Sequence, residues 1–107
     1  MLKFGRLITA VITPFDPQGG VDYETFSRLV DGLIKAGNDS VVVTGTTGEP
    51  PTLSEEERFQ LYREALAAVG KDGCVIAGTG GYNTSESVHL SREAAEIGVH
   101  GLLQVTP

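Results

Sequence analysis

The chain has 107 residues, of which 40% are apolar and 21% charged, a balance typical of one soluble globular domain rather than a disordered or collagen-like chain. Its formal net charge of −6 and its pI near 4.7 come without any cluster of Lys or Arg, which argues against a nucleic-acid surface or an anionic membrane patch. The apolar runs are too short for a transmembrane helix or a secretory signal, and Cys74, the single cysteine, cannot form an internal disulfide, so we expect a cytoplasmic protein.

The first part of the chain predicts a strand followed by a helix. Leu7–Ile12 is a short β-prone run, and Thr13-Pro14 ends it because proline cannot continue a central ladder. Asp22 has the position of a helix N-cap, and Gly37 that of the residue after the helix. Between them, apolar residues recur at the spacing of one helical face: Phe26, Leu29, Val30, Leu33 and Ile34.

Three more strands are predicted further along the chain. Val41–Val43 is a continuous β-branched run, which is typical of a strand buried on both faces. Cys74–Ala77 and Leu102–Val105 are the other two, and Cys74 is expected to be a small buried apolar residue.

Two further helices separate these strands. Ser54 and Glu57 have the spacing of a capping box at the start of a helix that Gly70 ends. The next helix begins near Thr84 and stops at Gly98. The apolar stripe predicted for the first of the two is Phe59, Tyr62, Leu66 and Val69, and for the second Val88, Ala94, Ala95 and Ile97.

The elements therefore alternate as β-α-β-α-β-α-β in units of about 30 residues, the usual size of a βαβ unit. Such crossovers are right-handed and produce a parallel sheet. A doubly wound open sheet and a (β/α)8 barrel both use this order, and periodicity alone does not choose between them. No linker or low-complexity stretch divides the sequence, so we expect residues 1–107 to belong to one domain, with no separate second domain.

A string rich in glycine and threonine, Gly45–Glu49, follows the second predicted strand. Glycine lets successive backbone N–H groups turn towards an anion, and the hydroxyls of Thr46 and Thr47 can each donate and accept a hydrogen bond. This combination suits the binding of a small carboxylate and the transfer of a proton. The same string fits a tight turn in which the threonines bond backbone groups, and the spacing leaves both interpretations open.

Several other kinds of site are not supported by the sequence. The second glycine string, Gly78–Asn83, has Asn where a dinucleotide fingerprint needs its last Gly, and no phosphate-binding loop or metal-binding spacing occurs. We interpret His89 and His100 as surface or structural residues, and Glu55–Glu57 as solvated acids of a first helical turn. None of the lysines follows a predicted strand as a catalytic amine would: Lys3, Lys35 and Lys71.

Four strings, taken in order, resemble the dihydrodipicolinate synthase family: Thr9–Phe15, Gly45–Glu49, Ala77–Gly80 and Val105–Pro107. The resemblance runs along essentially the whole chain, and its most specific part is Gly45–Glu49. It implies a (β/α)8 TIM barrel, of which this chain would cover roughly the first half.

The resemblance also implies a reaction. Members of the family condense pyruvate with aspartate semialdehyde through a lysine Schiff base, on the route to diaminopimelate and lysine, and no external cofactor is involved. By this resemblance Thr46 relays a proton between two tyrosine hydroxyls, and Thr47, with Gly45 and Gly48, holds the pyruvate carboxylate. A cytoplasmic homo-oligomer, either a tetramer or a dimer, is implied as well.

The sequence departs from the family pattern at several points. The Schiff-base lysine and both relay tyrosines would lie beyond Pro107, and the tyrosines of this chain match neither of them. For the feedback site of the family, Glu86 matches, whereas Tyr82 stands where lysine-inhibited members usually carry Asn. This mismatch argues against inhibition by lysine.

Four strands of a closed barrel would leave two bare sheet edges and an uncovered inner face. We therefore expect the chain to be a truncation or cleavage product, or to pair with a second half, and to have no aldolase activity alone. Two alternatives remain. The chain could belong to a related pyruvate-dependent lyase that acts on a sugar acid, or it could be a non-catalytic half-barrel that associates with itself.

Overall fold

The computed structural model describes residues 8–43, 54–78 and 84–103, with the side chains of 84–87 and 103 left aside. These residues form the alternating order of strands and helices that the sequence predicts. The elements are β1 (Ile8–Ala10), α1 (Tyr23–Lys35), β2 (Ser40–Val43), α2 (Glu55–Val69), β3 (Cys74–Gly78), α3 (Thr84–Ile97) and β4 (Gly101–Leu103).

The strands form one parallel sheet in the order β1-β2-β3-β4. Val41 of β2 pairs with Thr9 on one side and with Val75 of β3 on the other, and Ala77 of β3 pairs with Leu102 of β4. In a doubly wound sheet the first strand lies inside the sheet, whereas here it lies at one edge of the described sheet. The sequential order therefore selects the barrel from the two architectures that periodicity left open.

The helices α1 and α2 begin at the predicted caps. The Asp22 carboxylate accepts from the backbone N–H of Thr25 at 3.0 Å and from its hydroxyl at 2.8 Å, and these two bonds hold the pKa of Asp22 below its ordinary value. At α2 the Ser54 hydroxyl accepts from the Glu57 N–H at 3.2 Å, while the Glu57 carboxylate accepts from the Ser54 N–H at 2.9 Å. This reciprocal capping box is the one predicted from the sequence.

The core lies between the sheet and the three helices, and α2 packs against both α1 and α3. Val41, Val43, Val75 and Ala77 point towards the helices and are fully buried. Since residues alternate along a strand, these positions form one continuous apolar face of the sheet. The largest fully buried side chains on the helices are Tyr62, Phe26, Leu61 and Val30.

The opposite face of the sheet is exposed at several positions in the described part of the chain, although Ser40 and Cys74, at the starts of β2 and β3, are buried on it. Ile8 is 46% exposed and Ile12 is 54% exposed, and the side chains of Val42 and Ile76 are only half-buried. The prediction that Val41–Val43 is buried on both faces is therefore wrong for Val42. The expectation of an uncovered inner face is confirmed for these residues.

The apolar stripe of α3 also differs from the prediction. Val88 is 51% exposed and Ala95 is exposed, whereas Leu90 and Ala94 are buried. With Ile97, which packs against the core, the contacting residues of the described part follow the spacing i, i+4, i+7 from Leu90. The predicted stripe began two residues too early, and so it missed Leu90.

Candidate functional site

The carboxyl ends of the four parallel strands lie along one edge of the sheet, after Ala10, Val43, Gly78 and Leu103. Because Val43 pairs with Ala77, the segments that follow β2 and β3 start side by side. This is the edge at which proteins with parallel α/β sheets bind their ligands. We call it the carboxyl edge of the sheet.

Most of the site residues predicted from the sequence lie outside the described residues. Gly45, Thr46, Thr47, Gly48 and Tyr82 all fall in that part of the chain, and the structure does not test them. Glu86 lies in the first turns of α3, but its side chain is not described. What the structure does describe is the framework from which these segments leave.

The connection from β1 to α1 is tied at this edge by one aspartate. The Asp16 carboxylate accepts from the backbone N–H groups of Gln18 and Gly20, both at 2.9 Å. Phe15 forms an antiparallel bridge with Val21, and the N–H of Asp22 donates to the carbonyl of Pro14 at 2.9 Å. Residues 16–20 therefore form a turn that folds back against the start of α1.

Thr13 is a polar group at the carboxyl edge that the sequence did not single out. The Val11 N–H donates to the carbonyl of Val42 at 3.0 Å, so the chain after β1 continues alongside β2. Thr13 is 9% exposed, and its hydroxyl has no hydrogen-bond partner among residues 8–43, 54–78 and 84–103. A buried hydroxyl without a partner is costly, so Thr13 marks a place where polar groups are expected beside it. The Thr-Pro pair was interpreted only as the end of a strand.

Tyr62 of α2 contacts the carboxyl end of β3 from the helix side of the sheet. Its side chain is fully buried between α2 and the sheet, and its hydroxyl donates to the carbonyl oxygen of Gly78, the last residue of β3, at 3.4 Å. The sequence predicted Tyr62 as a core residue and gave no signal for this bond. The bond ties the carboxyl end of β3 to the helix layer.

The two described lysines lie towards the amino ends of the strands, opposite the carboxyl edge, as expected. Lys35 is the last residue of α1 and pairs with Asp31 at 2.8 Å, and this hydrogen bond and the carboxylate charge raise the pKa of Lys35 above its ordinary value. Lys71 is exposed in the turn before β3. Neither amine is placed to meet a ligand at the carboxyl edge, and Lys3 lies outside the described residues.

The remaining titratable candidates have structural positions. His89 of α3 pairs with Glu55 of α2 at 3.2 Å, both side chains are about half exposed, and the edge of the His89 ring meets Phe59. Glu55 and Glu56 are solvent-exposed at the start of α2, as predicted, and Cys74 is buried. Across the described ranges, no three side chains of the metal-ligating types converge, and no helix has the length and apolarity needed to cross a bilayer.

Comparison with known proteins places this framework among one group of enzymes. The model of the dihydrodipicolinate synthetase family matches residues 3–107. The 4-hydroxy-tetrahydrodipicolinate synthase of Symbiobacterium thermophilum is 55% identical over 107 residues, which are 100% of this chain and 36% of that protein.

Solved structures agree with this match. A dihydrodipicolinate synthase from Bacillus anthracis superposes with a TM-score of 0.95 at 46% identity, covering 100% of this chain and 37% of that one. The chloride-inhibited dihydrodipicolinate synthase of Acinetobacter baumannii, solved in complex with pyruvate, gives 0.94 at 39% identity, covering 98% of this chain and 36% of that one. These neighbours are TIM-barrel proteins, which confirms the predicted fold class. The chain spans about a third of the length of the relatives that it matches.

Proposed function

The chain belongs to the dihydrodipicolinate synthetase family, and we propose on that basis that it supplies the pyruvate-binding part of a synthase that condenses pyruvate with aspartate semialdehyde. The product would be 4-hydroxy-tetrahydrodipicolinate, on the route to diaminopimelate and lysine. The observation that carries the proposal is the family match over residues 3–107, which includes Gly45–Glu49 directly after β2. In this proposal residues 1–107 are one part of a single barrel domain of a cytoplasmic homo-oligomer.

The proposed roles of the site residues follow from their chemistry. The backbone N–H groups of Gly45 and Gly48 and the hydroxyl of Thr47 bind the pyruvate carboxylate, because several donors turned towards one point form an anion site. Thr46 relays a proton, since its hydroxyl can donate and accept at once. Support for this comes from the strand pairing, which starts the segment after β2 beside the one after β3. Tyr82 and Glu86 would lie at an allosteric site.

The covalent step needs an amine at the carboxyl edge, and the lysines among the described residues do not lie there. The family uses no external cofactor, and pyruvate is bound as a Schiff base on a lysine. Lys35 and Lys71 lie towards the amino ends of β2 and β3, away from that edge. The chain therefore binds pyruvate but does not form the Schiff base, and it is inactive as an aldolase on its own.

A second candidate role rests on the open face of the sheet. Ile8 and Ile12 are exposed there, and on the helix side, beside the edge strand β1, an apolar groove of about 390 Å³ is lined among others by Val11, Leu29 and Leu33. Such a surface suits self-association of half-barrels without catalysis. A lyase for a sugar acid is less well supported, because the relatives reported above are named as synthases.

Two experiments on the 107-residue chain test the proposal. Borohydride treatment in the presence of pyruvate, read by mass spectrometry, should give no adduct. An adduct on Lys3, Lys35 or Lys71 would contradict the proposal that this chain lacks the Schiff-base amine.

Titration with pyruvate, followed by amide NMR, should shift the signals of Gly45–Gly48. Thr47→Val should weaken that response, whereas Thr52→Val, in the same connection, serves as the matched control. A response elsewhere, or none at all, would contradict the binding role.

A further inference from the structure

His100, the residue immediately before β4, forms two hydrogen bonds with a single residue of β3. Its backbone N–H donates to the carbonyl oxygen of Val75 at 2.8 Å, and its ring atom Nδ1 accepts from the Val75 N–H at 3.0 Å. Val75 is fully buried, so its N–H needs an acceptor inside the protein. Because β4 begins only at Gly101, the imidazole supplies this acceptor from the residue before the strand.

This geometry determines where the ring carries its proton. A ring nitrogen accepts a hydrogen bond only when it is unprotonated, so Nδ1 of His100 is bare and the neutral ring holds its proton on Nε2. A second proton would turn Nδ1 into a donor that faces the N–H donor of Val75, and the bond would be lost. Imidazole is the side chain whose charge normally changes near neutral pH. The junction between β3 and β4 is therefore sensitive to protons.

No nearby carboxylate offsets this effect in the described residues. His100 takes part in none of their ion pairs, in contrast to His89, whose ring meets the Glu55 carboxylate and gains an attraction when it is protonated. The titratable groups on the elements that meet at this end of the sheet are Lys35, Asp39, Lys71, Asp72, Cys74 and Glu96. The charged ones among them are solvent-exposed, and Cys74 is buried. Water screens exposed charges, so the hydrogen bond to Val75 dominates.

We propose that His100 is a proton-sensitive latch that holds the start of β4 against β3 in its neutral form and releases it in acid. β4 pairs only with β3 in the described sheet, through three residue pairs, and the two His100 bonds adjoin the first of them. Release of the latch loosens the last strand while β1, β2 and β3 keep their mutual pairing. The device is independent of the proposed activity, because it uses the edge of the sheet opposite the carboxyl edge.

The wild-type chain, labelled with ¹⁵N histidine, gives the first test. With only two histidines in the sequence, the ring signals are assigned by comparison with a His89→Asn variant. At about pH 7.5, long-range ¹H–¹⁵N spectra should show His100 as the Nε2–H tautomer, and the same spectra recorded at successively lower pH show when the ring gains its second proton. The Val75 amide should then exchange with solvent about tenfold faster relative to the Val41 amide. An Nδ1–H tautomer near pH 7.5 overturns the proposal.

Substitution gives the second test. In His100→Asn the amide oxygen takes the place of Nδ1 and accepts the same bond without titrating. Its melting temperature should fall less than that of the wild type between about pH 7.5 and about pH 5.5. The melting temperature of His89→Asn, which loses the attraction to Glu55 that protonation strengthens, should fall at least as much as that of the wild type. An acid response in His100→Asn equal to that of the wild type overturns the latch. If His100→Asn does not fold, the wild-type tautomer and the Val75 exchange still decide.

Discussion

The two faces of the sheet differ in what covers them. On the helix side, Val41 and Val75 are fully buried, and the residues beside them contact α1 and α2. On the other side, Ile8 and Ile12 remain about half exposed although they are as apolar. Apolar strand residues cost free energy when they face water, so the difference shows that the sequence of the strands is suited to cover on both faces. Within the described residues, the helix side is fully buried at Val41, Val43, Val75 and Ala77, whereas the other face is buried only at Ser40 and Cys74.

A charge placed on each face tests this difference most severely. Val41→Asp puts a carboxylate in the fully buried face, and it should cost about 4 kcal/mol or more, enough to unfold the chain. Ile12→Asp on the open face should change stability by only about 0.5 kcal/mol and should reduce self-association. Urea denaturation and light scattering measure the two effects. Equal destabilisation by both variants would show that the open face is covered in solution.

Two phenylalanines make the same comparison without adding charge. Phe26 of α1 is fully buried, and Phe26→Ala should cost about 3–5 kcal/mol because it leaves a cavity. Phe15 lies beyond the end of β1 and is 39% exposed, so Phe15→Ala should lower the free energy of unfolding by only about 1 kcal/mol. Chemical denaturation of the two variants gives the loss of unfolding free energy for each. A large loss for Phe15→Ala would mean that a further part of the protein packs on it.

The hydroxyl of Tyr62 tests how the helix layer holds the carboxyl edge. Tyr62→Phe keeps the buried ring but removes the donor to the Gly78 carbonyl, and it should cost about 1 kcal/mol. Hydrogen exchange should rise at the end of β3 more than at the end of β2. An increase spread evenly over the sheet would contradict a local tie between α2 and β3.

The smallest expected effect is an alkaline one, at the contact between α1 and α2. Partial burial, together with the nearby charges of Glu57 and Glu64, raises the pKa of Tyr23 above its ordinary value. The folded state therefore favours the protonated phenol of Tyr23. The contribution of Tyr23 to the free energy of unfolding is complete below the unfolded pKa of about 10, and it is lost as the pH rises through the folded pKa. Tyr23→Phe should lose less stability in that alkaline range than the wild type, as followed by thermal melts. Identical alkaline curves would contradict the assignment.

Much of the framework could be predicted from local chemistry. Asp22, Ser54 and Glu57 were identified as caps because short polar side chains satisfy the free N–H groups of a first helical turn, and the structure confirms all three. Gly37 and Gly98, predicted at the ends of helices, have φ values of 106° and 110°, in the left-handed region that favours glycine.

Other features depend on tertiary packing and were not predictable in this way. The stripe of α3 was misplaced because Val88 is as apolar as Leu90, and only the neighbouring helix and strand decide which of them is buried. His100 gave no local signal, since its acceptor role depends on β3, which lies 25 residues earlier in the chain. The order of the strands in the sheet was also not predictable from periodicity, because it depends on which strands pair with one another.

An exchange of segments tests the proposal that this chain carries the pyruvate-binding residues of a synthase. Residues 1–107 would replace the matching 36% of the Symbiobacterium thermophilum synthase, to which they are 55% identical. The chimera should condense pyruvate with aspartate semialdehyde, Thr46→Val should lower its kcat by about 100-fold or more, and Thr52→Val should have little effect. A folded chimera that is inactive, or one whose kcat does not change with Thr46→Val, would overturn the proposal.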